Sequence, residues 1–156
     1  MRSAETGARA LPRRVLLTIT GAGLLALPWN HAAQAQPSAA AAEIAKLLAG
    51  RTPIAGGIKL DVPAIAENGL VVPVNVEAES PMTDADHIKA VHVFAEGNPN
   101  PLVASFFYTP ASGRAAASTR MRLAQTQNIV VFAETSTGAV RTVSAEVKVT
   151  IGGCGG

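Results

Sequence analysis

The 156 residues are 48% hydrophobic and 15% charged, with a net charge of +2, a length that suits one domain able to bury a core without staples. The single cysteine excludes an internal disulfide. The basic excess lies in residues 1–35, where Arg2, Arg9, Arg13 and Arg14 stand against Glu5; of the chain's +2 this segment holds +3 and the remainder −1, which leaves no clustered basic face for nucleic acid.

Residues 1–35 read as an export leader. The adjacent pair Arg13-Arg14 precedes an apolar run from Val15 to Leu27, about 13 residues. That is shorter than the roughly 20 a membrane span needs, so no anchor is expected, and it matches the apolar region of a secretory signal. Ala33-Gln34-Ala35 follows as a small-residue cleavage pattern, with the cut after Ala35. The arginine pair points to the twin-arginine route, a receptor-read address for proteins exported already folded. Cleavage leaves a chain of about 121 of the 156 residues in an oxidising compartment, the periplasm.

Residues 36–50 form an N-terminal helix. In SAAAAEIAKLLAG, Ser38 caps, Ile44, Leu47 and Leu48 fall at helical spacing, and Gly50 stops it. From 51 to 151 the pattern alternates with period two, as half-buried strands do. Ile58, Leu60 and Val62 share one face of the first strand; Leu70, Val72, Val74, Val76 and Ala78 share one face of the second, where Pro73 predicts a sheet edge or a bulge. Further strands are expected at His87–Ala95, Leu102–Tyr108, Ala115–Leu123, Asn128–Thr135 and Val143–Ile151, with a tight turn at Thr137-Gly138. The pattern predicts an all-β fold, an immunoglobulin-like antiparallel β-sandwich of about seven strands. Residues 152–156 are a flexible glycine-rich arm carried by the last strand.

Most chemistry-bearing residues have structural readings. His87 and His92 lie five apart on one predicted strand, point to opposite faces and cannot share a metal. Asp84 and Asp86 precede a strand, where aspartate serves turn geometry. Arg120, Met121 and Arg122 alternate between a solvated and a core face. No catalytic residue, cofactor site or metal site is expected.

Cys154 is different. It sits in GGCGG between Gly152, Gly153, Gly155 and Gly156, with no His, Lys, Arg or helix N-terminus nearby in sequence to activate it. Such a thiol titrates near the ordinary value of about 8.5 or slightly above. Glycines make the arm as thin as a polypeptide can be, able to enter a narrow channel in another protein. A free thiol exposed in an oxidising compartment is otherwise a liability. Three readings remain: a covalent carrier, a stand-alone thiol oxidoreductase or peroxidase, and an interaction module dimerising through a Cys154 disulfide. The second needs a lowered thiol pKa or a resolving cysteine, and neither is offered.

The terminal VKVTIGGCGG, with LDVPAIAENG from Leu60 to Gly69, SPMTDADHIK from Ser80 to Lys89 and the arginine-pair leader, resembles the SoxY family, the sulfur carriers of the periplasmic thiosulfate-oxidising Sox system. The resemblance implies that Cys154 holds the substrate covalently. A haem-containing partner, SoxAX, would couple thiosulfate to it; a SoxB-type metal-dependent hydrolase would release sulfate; a sulfane dehydrogenase, where present, would oxidise the remaining sulfur. It also implies a heterodimer with a SoxZ-type subunit, a second small β-sandwich protein that would travel with the folded carrier.

Overall fold

A computed structural model describes residues 38–152. Helix α1, Ala39–Leu48, begins where the Ser38 hydroxyl accepts from the amide of Ala41 at 3.1 Å. This is the N-cap bond that a serine supplies to an otherwise orphaned amide. The expected stop at Gly50 falls one residue earlier: Ala49 takes the left-handed conformation (φ 48°), and its amide returns to the Ala45 carbonyl. Arg51 then folds back over the end of the helix, donating from Nη2 to the Leu47 carbonyl at 2.7 Å and from Nε to that of Leu48 at 2.9 Å. A cation there suits the negative end of the helix dipole.

Nine strands follow: β1 Ile54–Ala55, β2 Ile58–Asp61, β3 Ile65–Asn68, β4 Val72–Ala78, β5 Ile88–Ala95, β6 Leu102–Phe107, β7 Ala115–Met121, β8 Gln127–Thr135 and β9 Val140–Ile151. One sheet runs β1-β9-β8-β5-β6, with β3 also on β9; the other runs β2-β4-β7. The two sheets form the expected immunoglobulin-like sandwich. Its ladders are antiparallel except along β9, where β1 and β3 pair in parallel with the start and the end of that strand. These two short strands were not expected: β1 has two residues, both exposed, and β3 buries Ala66 alone, so neither shows alternation. β9 starts at Val140, three residues earlier than its clean alternation suggests, because the Thr137-Gly138 turn (Gly138 φ 92°) closes directly onto it.

Pro73 has a more particular setting than an edge strand. β4 is the middle strand of its sheet, yet β2 ends opposite Asn75, so beside Pro73 the strand has a neighbour, β7, on one side alone. Leu70 departs from the predicted face: β4 begins at Val72, and Leu70 is exposed in the preceding loop.

The core lies between the sheets. Val72, Val74, Val76 and Ala78 of β4 face Val91, Val93 and Ala95 of β5 and Ile129, Val131 and Ala133 of β8. β5 is buried on its other side too, because Ile44, Leu47 and Leu48 of α1 pack on Phe94, Phe132 and Val140 across the outer face of the larger sheet. Phe94 and Phe132 meet edge to face, with ring centroids 5.9 Å apart.

Candidate functional site

The predicted arm residues Gly153, Cys154, Gly155 and Gly156 lie outside the described residues, as do Arg13, Arg14 and the cleavage position Ala35. The structure places the root of the arm. β8 begins at Gln127, opposite Val147, so beyond Val147 strand β9 has lost that neighbour. Two replacements hold it. On one side β3 pairs Ile65 with Lys148, Ala66 with Val149 and Asn68 with Ile151, and the amide of Gly69 donates to the Ile151 carbonyl at 2.9 Å. On the other, the Thr126 hydroxyl accepts from the Val149 amide at 2.9 Å.

The Gly69 loop ties this root to the body. Its carbonyl accepts from the Leu123 amide at 2.8 Å, and the Asn68 side chain accepts from the Leu70 amide at 2.9 Å, bending the chain back. Ile151 has the inward parity expected of it but lies past the end of the core and is 67% exposed. Leu70 and Val71 are exposed beside it in sequence order around the same loop. Gly152 rests against the Ala124 carbonyl so closely that a Cβ would collide with that oxygen. The strand end is therefore held at Ile151 by the Gly69 amide, and Gly152 packs against the body.

The other candidates do not join it. His87 Nδ1 lies 3.0 Å from the Thr83 carbonyl in the loop before β5. Asp86 closes the turn in that loop, its carbonyl accepting from the Thr83 amide at 2.9 Å, and Asp84 is exposed there. Among the described residues no group of three His, Cys, Asp or Glu side chains could hold a metal ion. Met121 is buried while Arg120 and Arg122 are exposed, as alternation requires.

His92 sits in a polar cluster that the sequence did not reveal. Its Nδ1 is 2.8 Å from Ser105 Oγ, and Nε2 is 3.9 Å from Glu134 Oε1, which itself meets Arg51 Nη2 at 3.1 Å. Burial pushes the His92 pKa below its ordinary value; Glu134 pulls it up without reversing the direction, and Arg51 adds to the lowering. The four residues come from the α1 exit, β5, β6 and β8, so no linear motif joins them. Their geometry clamps the helix to the sheet. A cleft of about 370 Å³ on the outer face of the smaller sheet is crossed by Lys59, Asp61, Asn75, Glu77 and Arg114. Within it Asn75 donates to Asp61 at 3.1 Å and accepts from Ser118 at 2.6 Å.

No helix of the described residues is long and apolar enough to cross a membrane. The profile of the family described as sulfur oxidation protein SoxY matches residues 44–154, so that the match ends on Cys154. No curated protein matches the chain. Among solved structures, the sulfur carrier protein SoxY from Chlorobium limicola f thiosulfatophilum is similar, with 37% identity over 70% of this chain and 94% of that one, at a TM-score of 0.59. A superoxide reductase (neelaredoxin) from Ignicoccus hospitalis covers 60% of this chain and 80% of its own at a TM-score of 0.54. Its 17% identity makes that a likeness of fold alone. The two-sheet sandwich, the span of the profile match and the identity to the Chlorobium protein together establish that this chain belongs to the SoxY family of sulfur oxidation proteins.

Proposed function

We propose that the protein is a covalent carrier of sulfur intermediates in periplasmic thiosulfate oxidation, with Cys154 as the attachment point and Gly152, Gly153, Gly155 and Gly156 as its arm. The observation that carries this reading is the family match running through to Cys154, the only thiol of the chain, immediately beyond an anchored strand end. The chemistry needs no acid or base from the carrier. Coupling the cysteine sulfur to thiosulfate forms one S–S bond and releases two electrons and the thiol proton; the haem partner takes the electrons. Hydrolysis then places water oxygen on the terminal sulfur and releases sulfate, leaving a persulfide on Cys154. A thiol without an activating neighbour resists side reactions between visits, because the thiolate is the nucleophile.

The protein works in this reading as a heterodimer with a SoxZ-type subunit and serves SoxAX-type, SoxB-type and sulfane dehydrogenase enzymes. Residues 1–35 direct export by the twin-arginine route with cleavage after Ala35, and folded export lets the partner subunit travel along.

Cys154→Ser tests the reading. Thiosulfate-dependent turnover in a reconstituted system should vanish, while the unfolding midpoint stays within about 0.5 kcal/mol of the parent, as expected of a substitution outside the core. Persisting turnover would refute it. Intact-mass measurement on the C-terminal peptide after thiosulfate exposure should show sulfur or sulfonate additions that reductant removes.

A further inference from the structure

We infer that residues 122–126 form a built seat that fixes the direction in which the arm leaves the sandwich, with Asn98 and Gln127 as positioning residues; this rests on the carrier reading. The segment belongs to no ladder, since β7 ends at Met121 and β8 begins at Gln127. A connection of this kind is normally free to move. Here it is bound at almost every residue. Asn98, from the β5–β6 turn, donates through Nδ2 to the Arg122 carbonyl at 2.8 Å and accepts at Oδ1 from the Ala124 amide at 3.1 Å. Gln127, 7% exposed, donates through Nε2 to Asn98 Oδ1 at 2.9 Å and to the Gln125 carbonyl at 3.1 Å, and accepts at Oε1 from the Gly97 amide at 2.7 Å. The Leu123 side chain is fully buried, and Thr126 grips Val149.

A half-buried amide network centred on the buried Gln127 favours one local arrangement, since any other would leave the Gln127 amide unpaired. Its centre is the stretch that presents the Ala124 carbonyl to Gly152. Gly152 has no left-handed backbone angle to explain its identity; close approach to a backbone oxygen that cannot rotate away explains it. Glycine at 152 therefore allows a fixed contact with the body. Cys154, two residues on, lies at most about 7 Å from that contact. Cargo stays at one end of the sandwich, where a docked enzyme meets it at a high effective concentration.

The test is a distance measurement between two nitroxide labels, one on Cys154 and one on Lys59→Cys, an exposed position on β2. The parent should give a narrow distribution, and both Asn98→Ala and Gly152→Ala a broader and shifted one. Should Asn98→Ala lose the fold, Gly152→Ala still perturbs the seat from the arm side. In the unlabelled variants, partner-dependent turnover should fall on the order of tenfold, as misplacement of a reacting group does, while alkylation of Cys154 by a small thiol reagent keeps its parental rate. Equal distributions in all three proteins overturn the seat. Turnover surviving Cys154→Ser would overturn the carrier reading alone, and the distance distributions would still decide the seat.

Discussion

His92 is 9% exposed, which places an imidazole where its charged form is poorly solvated. Burial therefore lowers its pKa in the folded state below the value of about 6.5 it has when unfolded. Between those two values the unfolded chain binds more protons than the folded one, so stability falls with falling pH. The contribution is complete above about pH 6.5, is lost as pH drops toward the folded value, and levels off below it. Equilibrium unfolding from pH 7.5 to 5 should show this slope in the parent and a flatter profile in His92→Gln. An equal slope in both would mean that other groups set the acid sensitivity. The cluster also explains why a single histidine in an apolar strand gave no readable signal. Its partners Arg51, Ser105 and Glu134 are 41, 13 and 42 positions away by number and meet only on the folded sheet.

At the level of elements, burial follows from which neighbours each strand acquires. β8 lies between β5 and β9, and its inward residue Ile129 is fully buried opposite Ala95 and Ala145. Small partners on both sides leave nothing that can fill a void there. Ile129→Ala should cost about 2–5 kcal/mol by chemical denaturation. A cost under about 1 kcal/mol would mean that the two sheets close over the gap. The other seven strands, β2 and β4 to β9, were legible because each sets apolar residues on the core. β1 and β3 were not, since they exist to cover the edge of β9 and carry no alternation of their own. The burial of β5 on both faces was hidden for a related reason: α1 covers the outer side, and helix docking leaves no mark on the strand that receives it. Pro73 marked an edge correctly in a local sense, but only the length of β2 shows where that edge begins.

Across the whole molecule the division of labour is between a sandwich that holds a strand end and an arm that leaves it. The motif GGCGG reads as a carrier arm in the proposed function, on its resemblance to the SoxY family and on a lone cysteine with no activating neighbour in sequence. Its anchoring was not legible, since Asn98, Gly69, Ala124 and Gln127 lie in three turns and a strand start separated in sequence. In the proposed carrier reading the residues beyond Gly152 serve delivery of the cargo and not folding. A chain cut after Gly152 should therefore unfold at the parental denaturant midpoint while losing all thiosulfate-dependent turnover. A chain cut after Thr150 should also lose stability, because the hydrogen bond from Gly69 to Ile151 and the contact of Gly152 with Ala124 go with it; a net loss of about 0.5–1.5 kcal/mol is expected from that bond. Equal midpoints for the two truncations would show that the body ends before Ile151 and that the strand merely passes the Gly69 loop. A lower midpoint for the shorter chain alone would show that the scaffold extends past Thr150 and includes Ile151, Gly152 or both.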